Sequence, residues 1–143
     1  MSDPIYHECG LAFVRLKKDL AWYKDKYGTC LWGFQRLYLL MEKQHNRGQD
    51  GVGVGCVKLD MPLGQPYLFR ERNAQRDSLI KVMEGQFKTL SKRKRKGLLD
   101  PDDPVSFKNN FDFGGEILLG HLRYGTSGSF GAGGCHPYVL RTN

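Results

Sequence analysis

The chain has 143 residues, enough for one domain with an ordinary core, and its 40% hydrophobic and 12% aromatic content excludes a disordered protein. Its net charge of +7 is uneven: five positive charges fall in the run Lys92-Arg93-Lys94-Arg95-Lys96, leaving +2 for the rest. No stretch approaches the roughly 18 apolar residues of a membrane span, and the first residues lack the basic start and apolar stretch of a secretory signal. The four cysteines, at 9, 30, 56 and 135, form no Cys-x-x-Cys pair and no zinc-type spacing with histidine. A cytoplasmic protein with reduced thiols is expected.

Cys9 opens an apolar run, and residues 10–16 read as a strand. Residues 31–45 read as a helix, because Leu31, Phe34, Leu37, Tyr38 and Met41 recur at three-and-four spacing; Asn46 and Gly48 suit its end. Residues 51–57 alternate Gly with Val or Cys, the pattern of a strand whose glycine face admits something closely packed. Residues 67–70 read as its hairpin partner, across a loop holding Pro62, Gly64 and Pro66. Residues 78–90 form a second helical pattern, with Leu79, Val82, Met83, Phe87 and Leu90 on one side. From 88 to 115 the chain changes character, with the basic run, Asp100-Pro101-Asp102-Asp103-Pro104 and Gly114-Gly115, and an exposed insert is expected. Residues 116–123 return as a strand, and 124–134 read as a Gly- and Ser-rich loop. This order of elements predicts an α+β or α/β fold.

Cys9 is the residue with the most chemical interest. If residues 1–8 are removed, it carries a thiol and a free α-amine, whose reference pKa of about 7.7–8.0 makes it a usable base for that thiol near neutral pH. The competing reading is a buried thiol at the start of a core strand. Two further segments carry binding groups: His45-Asn46-Arg47-Gly48-Gln49-Asp50-Gly51 at a helix-to-strand turn, and Gly120-His121-Leu122-Arg123-Tyr124-Gly125-Thr126-Ser127-Gly128 at a strand end. Arg binds a carboxylate bidentately, Thr donates a hydroxyl hydrogen bond, and Gly lets backbone approach a ligand.

Together with His7-Glu8-Cys9-Gly10-Leu11-Ala12, these segments resemble the class II glutamine amidotransferases, and within them the amidophosphoribosyltransferase branch, over roughly residues 7–138. The resemblance implies an N-terminal-nucleophile fold of the α+β class, a sandwich of two antiparallel sheets between helix layers, of which this chain holds the N-terminal portion. It implies a leader, residues 1–8, whose removal exposes Cys9 as the catalytic nucleophile. Arg123 would hold the glutamine carboxylate, Thr126 would assist, and Arg47 and Gly48 would shape the wall beside the nucleophile. Glutamine would be hydrolysed through a thioester, and the ammonia would pass to phosphoribosyl pyrophosphate on a further domain. The full enzyme would be a homo-oligomer using Mg2+, with no cofactor in this segment and no membrane partner. Some relatives carry an iron–sulfur cluster, with ligands outside this chain.

The sequence departs from the family pattern in four places. Asn46 stands between His45 and Arg47, Gly125 replaces a Pro or Ser, the insert from about 88 to 113 is longer than in compact members, and the Asn-Gly pair that supplies the family's oxyanion hole is absent. The chain is therefore expected to be the N-terminal part of a longer enzyme and inactive alone. Two other readings remain. One keeps the glutaminase but sends ammonia to another acceptor, as in glucosamine-6-phosphate synthase or glutamate synthase. The other is a non-catalytic basic domain binding nucleic acid through residues 92–96, with salt-sensitive affinity and no need of Cys9.

Overall fold

A computed structural model describes residues 8–125 and 131–140. Four strands, β1 (Gly10–Arg15), β2 (Gly51–Val57), β3 (Leu68–Asn73) and β4 (Ile117–Arg123), form one antiparallel sheet in the order β1-β4-β2-β3. The last strand to be made lies between the first two. Gly10 pairs with Leu122, and Gly51 pairs with Arg123. The fold is of the α+β class.

Side chains alternate across the sheet. Ala12, Val14, Val52, Val54, Cys56, Leu118 and Leu122 are buried on one face. Two helices cover that face: α2 (Trp32–Lys43), which contributes Phe34, Leu37 and Met41, and α3 (Ser78–Arg95), which contributes Leu79, Val82, Met83 and Leu90. Met41 occupies the space above Gly120, and Gln86 of α3 donates to the Glu71 carboxylate of β3. Burying each such apolar side chain contributes about 1.5–3 kcal/mol.

The helices differ from the sequence expectation at several points. α1 (Leu20–Tyr27) falls in a stretch that had no assigned element. Its signals lie at its ends: the Asp19 side chain accepts from the Trp22 N–H at 2.8 Å, and Gly28 closes the last turn. α2 stops at Lys43, and His45–Arg47 continues as a 3₁₀ turn. α3 runs five residues past Leu90, through the basic run to Arg95. Lys and Arg are good helix formers, and their charges favour a helix C-terminus. It ends where Gly97 takes φ +69°, with the Leu98 N–H bonded to the Arg93 carbonyl at 3.0 Å and the Gly97 N–H to that of Lys94 at 2.9 Å.

The expected exposed insert over 88–115 is corrected. Its basic residues are largely in solvent, but Leu90, Leu99, Phe107, Phe111 and Phe113 are buried in the main core. α4 (Pro104–Asn110) makes this possible: Asp103 caps it by accepting from the N–H groups of Val105 and Ser106, and Pro104 occupies the first turn. Phe34 meets both Phe111 and Phe113. Lys108 and Glu116 form a mostly buried ion pair at 2.6 Å, and the second Glu116 oxygen accepts from the Leu59 N–H. The polar spelling of the segment hid one aromatic side of a helix.

The opposite face of the sheet is covered only in part. Over β2 lies residues 131–138, a strap that fits because Gly51, Gly53 and Gly55 present no side chain there. A Cβ at Gly53 would collide with the His136 carbonyl, one at Gly51 would come within 2.5 Å of the Cys135 sulfur, and one at Gly55 within 2.7 Å of Pro137. The glycine face does admit a closely packed partner, and that partner is the chain itself. Over β1, Leu11 and Phe13 stand 64% and 60% exposed. No helix among the described residues is long and apolar enough to cross a membrane.

Candidate active site

The C-terminal end of β4 gathers the residues of interest. Cys9 lies one residue beyond the Gly10–Leu122 pair, and it is exposed. The buried-thiol alternative therefore fails for Cys9, while it holds for Cys30, Cys56 and Cys135. The Cys9 sulfur meets the backbone of Tyr124: the Tyr124 N–H donates to Sγ at 3.4 Å, and the thiol donates to the Tyr124 carbonyl at 3.8 Å. Burial pushes the other thiols up, that of Cys56 to about 12. At Cys135 the charges of Arg123 and Arg72 partly oppose the effect.

Gly48 is packed against β4. A Cβ there would come within 2.5 Å of the Leu122 carbonyl carbon and oxygen, so no side chain fits and the turn after α2 is pressed onto the strand end. Arg47 closes the 3₁₀ turn immediately before it. Thr126 lies outside the described residues.

Arg123, the last residue of β4, is only 8% exposed. Its guanidinium donates to the Gly131 carbonyl at 3.2 Å and packs against Gly134, where a Cβ would come within 2.5 Å of Cζ. Among the described residues no carboxylate forms an ion pair with it. A buried guanidinium resting on a neutral carbonyl is poised to take a stronger, charged acceptor.

Three residues with roles here had none assigned from sequence. Asp50 Oδ2 accepts from the Gly125 N–H at 2.8 Å, and the Asp50 N–H donates to the Arg123 carbonyl at 3.0 Å. Arg72 donates to the carbonyls of Gly133 and Cys135, holding the strap down. His121 Nδ1 accepts from the His136 N–H at 3.0 Å. Burial, then the neighbouring His136 and Arg123, push the His121 pKa below its usual value. Asp50 and His121 both stand inside the motifs quoted above, and only their position in those motifs could have flagged them. Arg72 had no signal, because the strap that it grips is more than sixty residues away in sequence.

Among the described residues, no three His, Cys, Asp or Glu side chains group to hold a metal ion. The arrangement is suited to nucleophilic chemistry: an accessible sulfur, a backbone donor on it, and a buried cation next to that donor in sequence. No family model matches the chain, nor does any curated protein or solved structure.

Proposed function

We propose that this chain is the glutaminase part of a class II glutamine amidotransferase of the amidophosphoribosyltransferase kind. The observation that carries the reading is the meeting of the exposed Cys9 sulfur with the backbone of Tyr124, the residue that follows the buried Arg123. With residues 1–8 removed, the Cys9 α-amine takes the thiol proton. The thiolate attacks the side-chain carbonyl carbon of glutamine and forms an S–C bond. The C–N bond breaks, the proton passes to the departing nitrogen, and ammonia leaves. Water then cleaves the thioester, releasing glutamate and restoring the thiol.

Arg123 holds the α-carboxylate of glutamine, which displaces the Gly131 carbonyl as the acceptor, and Thr126 assists. Arg47 and Gly48 form the adjacent wall. In the longer enzyme the ammonia reacts with phosphoribosyl pyrophosphate on a separate domain, and the oxyanion hole comes from residues outside this chain. The fold class supports this reading. An antiparallel sheet with helices on one face and exposed Leu11 and Phe13 on the other is what half of an N-terminal-nucleophile sandwich presents.

The test is Cys9→Ser in the longer natural enzyme, with the intact mass of the mature product determined alongside. Glutamine-dependent turnover should fall by at least a thousandfold, on the order seen when a covalent nucleophile is removed. Turnover with free ammonia should persist, and the mature mass should begin at Cys9. Equal loss of both activities would make Cys9 structural. A product that retains residues 1–8 and still hydrolyses glutamine would rule out the free amine as base.

A further inference from the structure

We infer that Asp50 is a positioning residue that sets the Tyr124 N–H against the Cys9 sulfur. Asp50 grips the chain on both sides of Tyr124. Its own N–H bonds to the Arg123 carbonyl at 3.0 Å, and its Oδ2 takes the Gly125 N–H at 2.8 Å. The peptide units before and after Tyr124 are thereby both fixed to one residue of the neighbouring turn. The Tyr124 N–H, which belongs to the first of these units, donates to Sγ at 3.4 Å, and the carbonyl of the second accepts from the thiol.

The chemistry follows from what a sulfur nucleophile needs. An N–H donor favours the ionised sulfur, and the benefit depends on the donor staying in line with it. β4 ends at Arg123. Beyond it, the Asp50 carboxylate adds a restraint by accepting from the Gly125 N–H. It is acceptor-only when ionised, so its bond to Gly125 can form in one sense alone. A Cβ at Gly125 would lie 3.4 Å from Oδ2, so the carboxylate also bounds the space at the start of the Gly-Thr-Ser-Gly run.

The catalytic meaning of this role rests on the amidotransferase reading, but its test does not, because no glutamine is needed. The 143-residue chain would be treated with iodoacetamide at pH 7.5, and alkylation of each cysteine followed by peptide mass spectrometry. Asp50→Ala should slow Cys9 about three- to tenfold, the loss expected when a hydrogen bond to a charged sulfur is no longer held in place. Asp50→Asn should stay within twofold of the parent, because its amide oxygen still accepts from the Gly125 N–H. Protection of Cys56 reports that each variant is folded. If Asp50→Ala exposes Cys56, Asp50→Ser replaces it, since its hydroxyl is too short to span to Gly125. A folded Asp50→Ala or Asp50→Ser that labels Cys9 at the parent rate would overturn the inference, as would Asp50→Asn slowed as much as they are. If the alkylation pattern holds but the longer enzyme fails to hydrolyse glutamine, the positioning role survives and the amidotransferase reading falls.

Discussion

His121 sits on the strap side of β4 with its ring edge-on to that of His136, the centroids 5.0 Å apart. Leu11 and Gly53 flank it on the neighbouring strands, so the charged or titratable groups that face it are His136 and Arg123. In the unfolded chain His121 takes up a proton near pH 6.5, whereas the folded chain resists it, and Nδ1 must stay unprotonated to accept the His136 N–H. The sign follows from linkage: this contribution is complete above about pH 6.5 and is lost as pH falls through the lower folded value. Unfolding in urea at a series of pH values should therefore show stability declining below about pH 6.5. His121→Asn, whose side-chain oxygen can take the place of Nδ1, should flatten that decline. An equally steep decline in the variant would assign the pH sensitivity to another group.

At the scale of elements, α4 and the segment around it are the main departure from the sequence reading. Phe107 is 1% exposed and packs on Phe111, so Phe107→Ala should cost about 3–5 kcal/mol in a urea titration. A cost below about 1 kcal/mol would mean that the segment is an appendage after all. The strands and the long helices were legible because period-two and three-and-four patterns depend on neighbours within one element. β2 was read at its observed ends, and even its glycine face announced a close partner. The segment after Leu90 was not legible, since Phe107, Phe111 and Phe113 are spread through Asp, Asn, Pro and Gly and only the folded chain gathers them. α1 was missed because its eight residues mix aromatic and charged side chains, leaving Asp19 and Gly28 as its clearest marks. In the site, Cys9, Gly48 and Arg123 were named from motifs and do gather at the end of β4. The role of Asp50 depends on a turn meeting a strand end 75 residues later, which no local pattern carries.

For the molecule as a whole, the described residues cover both faces of the sheet over β2 and one face over β1. In the 143-residue chain, replacing Leu11 and Phe13 together by Thr should shift the urea-unfolding free energy by less than about 1 kcal/mol, as for other exposed positions. If a second sheet packs on this face in the longer enzyme, the same pair should cost several kcal/mol there, because both side chains would then be core. Equal small effects in both proteins would argue against the sandwich.

Cys9 and Tyr124, whose contact builds the site, are separated by 115 residues. A ribosome adding about 5–20 residues per second therefore exposes the sulfur roughly ten seconds before its backbone partner exists. For most of that interval β1 also lacks β4, the strand that it pairs with, and Asp50 lacks the Arg123 carbonyl and the Gly125 N–H that it bonds. The order of synthesis thus acts as a timer: the thiol is made 115 residues before the backbone that it meets, and it gains those surroundings once β4 pairs with β1.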